Sequence, residues 1–280
     1  HRVSRRQRQM CIRDRNNLVK MIHRCADHQG TSITLGGGHS TDVVSAGDTI
    51  SPIANLASSI TSIRTNKLNA DASNLTTDSQ DSATYSNAWA GGIVRTHTLT
   101  WSSYNDLRYF FNQGGKIQHS FATANSSGSA QDEEWADLIT KTGTITFGIN
   151  SISRSGSIAI NTSAAGFTAI NGSTSEQTVF KAFADSSPYT GNFIEVTYTL
   201  NSATTPSAIT VKTKFTDAHS AQTGNFTGGG LGSAPNEGVG WTGEDSVTID
   251  ITSTTSTVRA NGTFINSAAP SASGAAWTGS

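Results

Sequence analysis

The chain has 280 residues, of which 14% are charged and 35% hydrophobic, and it contains 27 glycines. Its low net charge and its aromatic residues exclude a disordered chain, and its many small residues favour strands joined by polar loops. The formal net charge is −1, but residues 1–15 hold six of the 19 basic and one of the 20 acidic residues, which leaves residues 16–280 at −6. A mildly acidic body without clustered Lys and Arg argues against nucleic acid as a partner.

Residues 1–25 stand apart from the rest in charge. The six arginines of residues 1–15 fit a basic arm for an anionic partner, but this stretch also resembles a translated sequencing-adapter tail, and we favour that artefact. A short helix is predicted from Asn16 to Cys25, in which Leu18, Met21 and Ile22 are apolar. The N-terminus lacks the apolar core of a signal peptide, and no apolar run reaches the length of a membrane span.

Residues 26–86 are predicted to form a helix-containing segment and a polar linker. Ser51 and Pro52 are suited to the first positions of a helix. The apolar positions of this helix are Ile53, Leu56, Ile60 and Ile63. Their spacing is that of a coiled coil, but two heptads are too few, so we expect the helix to pack on its own domain. The polar stretch Thr65–Ser86 is typical of a linker or an exposed loop.

Residues 93–149 carry the clearest local signals, and they predict strand, helix, strand, helix, strand. The first helix is expected over about 103–112, after N-cap serines and before Gly114 and Gly115. The second is expected to begin at Ser129 and to end at Gly143, with acidic residues in its first turn. The residues predicted to be buried are Leu107, Phe110, Phe111, Trp135, Leu138, Ile139, Ile145 and Phe147.

A resemblance rests on this same segment. Its motifs are Trp101, Asn105-Asp-Leu-Arg-Tyr-Phe-Phe-Asn112, Gly114-Gly-Lys-Ile117, Trp135-Ala-Asp-Leu-Ile139 and Gly143-Thr-Ile-Thr-Phe-Gly148. Together they resemble virion structural proteins of tailed bacteriophages, of the tail or tail-fibre-associated type in large aquatic phages. The resemblance implies an assembly role in the virion and a homo-oligomer, for which a trimer is one candidate. It implies no catalytic residue and no cofactor.

Beyond residue 149 the pattern predicts strands only. Strong alternation marks 192–200, where Ile194, Val196, Tyr198 and Leu200 share the buried face, and the strand 208–216 that follows it. Further strands are predicted at 156–161, 179–183 and 246–252 and a hairpin at 257–265, with a long Gly-rich loop over 217–245. We expect one antiparallel β-sandwich-like domain over 87–265, with two inserted helices, no doubly wound parallel sheet, and a flexible tail over 266–280.

The sequence predicts neither a catalytic nor a metal site. The seven histidines lack metal-ligand spacing, and we expect His97 and His119 to be hydrogen-bonded sheet residues. The Gly228–Gly232 run lacks the Lys-Ser/Thr ending of a phosphate-binding loop. Asp132, Glu133 and Glu134 fit the helix dipole, and Glu244 with Asp245 fits a strand start, so acid-pair hydrolysis is disfavoured.

Trp241 is the best candidate contact residue, because it lies between glycines in the long loop, where an exposed aromatic side chain can contact a sugar. Trp277 is a weaker candidate, and we expect Trp101 and Trp135 to fill the core. Our leading hypothesis is therefore a non-enzymatic virion component whose partners are itself and other virion proteins, with a host surface glycan as a further candidate partner. The alternatives are a carbohydrate-binding or adhesive module of a bacterial surface, and a polysaccharide-degrading tail enzyme.

Overall fold

Four helices and thirteen strands make up the described part of the chain. The computed structural model describes residues 5–33, 35, 44, 55–149, 151–158, 170–186, 189–218, 223–225, 240–242, 246–263, 265–274 and 276–279. The helices are α1 (Arg5–Gln29), α2 (Leu56–Thr65), α3 (Tyr104–Asn112) and α4 (Ala130–Thr142). The strands are β1 (Leu75–Tyr85), β2 (Gly92–Thr100), β3 (Lys116–Ala124), β4 (Ile145–Gly148), β5 (Ser151–Arg154), β6 (Gln177–Phe183), β7 (Phe193–Leu200), β8 (Ala208–Thr216), β9 (Thr223–Asn225), β10 (Gly240–Thr242), β11 (Asp250–Ala260), β12 (Ser271–Gly274) and β13 (Thr278–Gly279).

The chain divides into two compact units, and one of them contains the first two helices. This unit comprises His1–Thr77, Arg108–Gly115 and Val258–Ala269. Its apolar cluster consists of buried Val19, Ile22 and Leu35, against which Ile33, Leu56 and Ile63 pack. The contacts of Leu56 and Ile63 confirm that α2 packs on its own unit.

Both helices of this unit differ from the prediction in their bounds. The helix α1 extends from Arg5 to Gln29, and Leu18 and Met21 are exposed on it. The helix α2 begins at Leu56 rather than at Ser51, because Asn55 has φ 59 and this left-handed conformation cannot continue a right-handed helix. Ser51, Pro52 and Ile53 lie outside the described residues. None of the described helices combines the length and apolarity needed to cross a bilayer.

The second unit holds two antiparallel sheets that pack together, which confirms the predicted mainly β, sandwich-like fold. One sheet has the strand order β1-β11-β3-β4-β5. The other has the order β12-β2-β8-β7-β6, and β13 also pairs with β2. Every pairing whose register is given among these strands is antiparallel, so the described part contains no doubly wound parallel sheet.

The best-predicted elements lie in the centre of these sheets and in the helices beside them. Ser103 and Ser129 accept backbone N–H bonds as helix caps, and Gly114 and Gly143 have the positive φ expected after each helix. The predicted inner faces of β7 and β8 are buried. Their inward side chains are Ile194, Val196, Tyr198, Leu200, Ile209, Val211 and Phe215.

Three predictions are corrected at the edges. The predicted linker contains β1, an eleven-residue strand. The end of the strand predicted at 246–252 and the start of the hairpin predicted at 257–265 belong to one long strand, β11, and the hairpin turn follows it, with Asn261 bridged to Asn266. The predicted flexible tail contributes β12 and β13, which both pair with β2.

These segments were misjudged because their order comes from pairing with a neighbour. Their own sequences are polar or low in complexity and therefore show little hydrophobic alternation. Of the strand predicted at 156–161, only 156–158 are described, and they are not in a strand. Most of the predicted 217–245 loop also lies outside the described residues.

Candidate functional site

A layer of polar side chains lies inside the sandwich. Alternation along β2 puts Arg95 and His97 on the same inward face as Ile93 and Leu99, and both polar residues are only 1% exposed. From the facing sheet, His119 of β3 comes to lie against His97, with ring centroids 5.1 Å apart and an interplanar angle of 19°. The two imidazoles are therefore stacked across the interface between the sheets.

Threonine hydroxyls connect the two imidazoles. The Thr255 Oγ1 lies 2.9 Å from His97 Nε2 and 2.8 Å from His119 Nδ1. The other ring nitrogen of His119, Nε2, lies 2.6 Å from Thr213 Oγ1. A hydroxyl has one hydrogen, so Thr255 donates to one ring and accepts from the other, which gives the chain of hydrogen bonds a direction.

Arg95 is the charged member of this layer. Its guanidinium donates to the Asp81 carboxylate of β1 and to the backbone carbonyl of Ser253 in β11. The Arg95 Cζ also lies 5.8 Å from the centre of the Trp277 ring. Asp81 neutralises a guanidinium that would otherwise be a buried, uncompensated charge.

Burial keeps both histidines neutral. Burial and, to a smaller extent, the positive charge of Arg95 lower the pKa of His97 to about 4, while the Asp81 carboxylate partly opposes the shift. Burial, together with His97 and Arg95, also lowers the pKa of His119 well below its usual value. For Arg95, burial lowers the pKa, and the Asp81 carboxylate opposes that change.

This arrangement is suited to holding two sheets together. The histidines are hydrogen-bonded sheet residues, as predicted, although they belong to facing sheets. The ion pair of Arg95 with Asp81 was not predicted. The sequence feature that could have indicated this ion pair is the position of Arg95, between Ile93 and His97 on the inward face of an alternating strand.

The tryptophans fall into three environments. Trp101 and Trp135 are 2% and 0% exposed, so both fill the core as predicted. Trp277 is half-buried, and its ring packs on Tyr85 and Phe215 at centroid distances of 5.8 and 5.9 Å. Trp241 lies in β10, opposite Gly224 of β9. The described part includes the backbone of Trp241 but not its side chain, so its role as a contact residue stays a prediction.

Of the acidic residues considered in the sequence analysis, Asp132 has a clear structural role. The Asp132 carboxylate accepts hydrogen bonds from the backbone N–H groups of Ser127, Thr248 and Ile249 and from the hydroxyls of Ser127 and Thr248. Burial opposes ionisation of Asp132, but these hydrogen bonds together lower its pKa. Asp132 therefore fastens α4 to the segment before β11. Glu244, Asp245 and the Gly228–Gly232 run lie outside the described residues.

A polar cleft of about 400 Å³ lies in the unit that contains α1 and α2. Hydroxyl and amide side chains line it, including Gln29, Thr61, Thr65, Asn66 and Asn69. Some of these groups are already bonded within the unit, since Gln29 donates to the Ile63 carbonyl and Thr65 to the Thr61 carbonyl. The cleft offers hydrogen-bonding groups without charge and without an aromatic platform.

Comparison of the chain with protein-family models, with curated proteins and with solved structures gave no match.

Proposed function

We propose that this chain is a non-enzymatic structural protein of a tailed-phage particle, associated with the tail or the tail fibre, and that it acts by self-assembly. The resemblance of residues 101–149 to such proteins motivates the proposal. The mainly β sandwich supports it, because the polar side chains between its sheets bond to one another rather than lining a cleft; these are His97, His119, Thr213 and Thr255.

The observation that carries the proposal is the edge formed by β1. This strand pairs with β11 on one side, and no strand of the described part pairs with its other side. Such an edge offers a row of backbone N–H and C=O groups to a strand of another chain.

The sequence of β1 leaves this edge accessible to pairing. Natural proteins commonly block an edge with lysine or proline, and β1 contains neither. Its charged residues are Asp78 and Asp81, and Asp81 is paired with the buried Arg95. We therefore assign β1 as the surface through which two copies add to one another's sheets.

The test is the absolute mass of the full chain in solution, measured by light scattering at several concentrations. We expect an oligomer that Ser79→Lys dissociates, because a lysine at this exposed edge position opposes strand pairing. The matched control is Ala122→Lys, an exposed position on the internal strand β3, which should leave the mass unchanged. A monomer at every concentration would contradict the proposal.

A carbohydrate-binding module of a phage or bacterial surface is the second candidate. The uncharged cleft beside Gln29 and Asn66 favours it, since hydroxyl and amide groups are common hydrogen-bond partners of sugars. A glycan-array screen tests this function. Binding that Trp241→Ala abolishes would assign the loop tryptophan, whereas binding that Asn66→Ala abolishes would assign the cleft, and no binding to any glycan would exclude the module.

A further inference from the structure

Three carboxylates from two segments converge beside the middle of α4. Glu134 and Asp137 lie three residues apart and therefore share a face of the helix. Asp185 reaches the same place from the segment after β6. One carboxylate oxygen from each residue lies within 4.8 Å of the other two.

Glu134 has a feature that the helix dipole does not explain. The residue is 8% exposed, and its Oε1 is fully buried without a hydrogen-bond partner. A buried carboxylate oxygen is costly unless a donor or a cation compensates for the lost water. The same carboxylate supplies one of the three converging oxygens, so a cation bound at the cluster would compensate for the buried negative charge of Glu134.

Lys141 compensates for only part of the negative charge. Its ammonium lies 2.5 Å from Asp137 Oδ2 and 3.0 Å from Asp185 Oδ2. Both aspartates are thus paired, but no bond joins Lys141 to Glu134 among the described contacts. Three carboxylates with one ammonium retain a net negative charge, so the cluster attracts a further cation.

The type and number of the ligands indicate the class of cation. The oxygens are all from carboxylates, which suit hard cations, whereas a structural zinc site would use Cys or His. Three carboxylates at one site favour calcium over magnesium, because magnesium gives up its waters reluctantly and is usually bound through only one or two carboxylates.

We propose that Glu134, Asp137 and Asp185 form a calcium-binding site and that the ion displaces the Lys141 ammonium from between the two aspartates. The ion ties α4 to the segment after β6 and completes the charge balance at Glu134. With three protein carboxylates and water as the remaining ligands, the affinity falls on the order of 10⁻⁴–10⁻³ M, the range of extracellular calcium modules.

The experiment is a titration of the full, chelator-treated chain with calcium chloride at constant ionic strength. Calorimetry measures the binding, and the melting temperature is determined at each calcium concentration. We expect saturable binding and a rising melting temperature, with magnesium chloride at least about tenfold weaker because magnesium dehydrates reluctantly and takes few carboxylate ligands. Glu134→Gln should weaken calcium binding at least tenfold. The matched control Glu133→Gln removes the same charge from the neighbouring exposed position and should leave the affinity unchanged.

Two further variants keep the proposal open to refutation. Lys141→Gln removes the competing ammonium, so we expect calcium to bind several-fold more tightly; an unchanged affinity would refute the displacement. Asp185→Asn, at a half-exposed position, repeats the Glu134 test if that variant fails to fold. Absence of saturable binding, or equal losses in Glu134→Gln and Glu133→Gln, would overturn the site and indicate general surface charge.

Discussion

The hydroxyl of Thr255 and the two imidazoles illustrate how single residues combine polarity with burial. Each ring is hydrogen-bonded, and each remains neutral because the interior opposes a charge beside Arg95. The interior of this protein is therefore sensitive to acid. The sensitivity follows from the difference between the folded and unfolded pKa values of the histidines.

We expect the free energy of unfolding to fall by about 2 kcal/mol between about pH 7 and pH 5 from His97 alone. An unfolded histidine titrates near pH 6.5, and folded His97 has a pKa of about 4. Between these values the unfolded chain binds more protons than the folded chain, so stability rises with pH and falls on acidification. His119 acts in the same direction.

Urea unfolding at a series of pH values measures this effect. Ordinary carboxylates titrate mostly below pH 5, so the window separates the histidines from Asp and Glu. The control is His97→Gln, which cannot take up the proton and should reduce the pH dependence to the part that His119 contributes. An identical pH dependence in the variant would show that His97 does not control it.

A second residue-level prediction concerns the ion pair of Arg95 and Asp81. The Arg95 side chain is 1% exposed and the Asp81 side chain 21% exposed, so only the carboxylate has access to water once its partner is removed. We therefore expect Asp81→Ala to cost about 3–5 kcal/mol, because it leaves a buried, unpaired guanidinium. Arg95→Met should cost less. Urea unfolding of both variants and of the double variant tests this order, and a larger cost for Arg95→Met would contradict it.

At the scale of elements, β1 is a strand that the hydrophobic pattern of the sequence could not predict. Both of its faces are polar, so it has no hydrophobic alternation, and the sequence predicted a linker. The strand is held in place by its pairing with β11. The Ser82 hydroxyl lies 2.8 Å from that of Thr254, and the Thr84 hydroxyl lies 2.8 Å from that of Thr252. Pairs between residues about 170 positions apart are invisible to a local pattern.

The helix α4 was predicted well because its signals are local. The Ser129 cap, the positive φ of Gly143 and the buried face of Trp135 each depend on neighbouring residues. The convergence of Glu134 with Asp185 was not predictable, because it requires the position of β6. Local chemistry thus predicts the helix, and only the folded chain reveals the candidate calcium site.

An element-level prediction follows from the five hydrogen bonds to Asp132. We expect Asp132→Ala to destabilise the protein by about 2–4 kcal/mol, since it leaves the backbone N–H groups of Thr248 and Ile249 without their acceptor. The exposed Glu133→Ala removes a charge from the same turn and should cost less than about 0.5 kcal/mol. Thermal and urea unfolding measure both, and equal effects would refute the role of Asp132 as the tie between α4 and the segment before β11.

At the scale of the whole chain, low charge and abundant Ser and Thr have a structural consequence. Hydroxyl pairs replace ion pairs between several strands, as in the 3.0 Å contact of Thr98 with Thr210. The alternating apolar faces of β7 and β8 were sufficient to predict a sandwich. The strands at its edges were not predicted, because each depends on a partner that is distant in sequence.

The C-terminal strands provide the last prediction. Ser271–Gly274 and Thr278–Gly279 pair with β2, so deletion of residues 270–280 would turn β2 into an edge strand. We expect the truncated chain to melt at a lower temperature and to aggregate as its concentration rises, because an uncovered edge pairs with other chains. Trp277→Ala in the full chain is the control: it loses the ring contacts but keeps the strand pairing, so it should lower the melting temperature without promoting aggregation. Light scattering during thermal unfolding distinguishes the two variants, and aggregation that is equal in both would assign the effect to the lost packing of Trp277 rather than to the exposed edge.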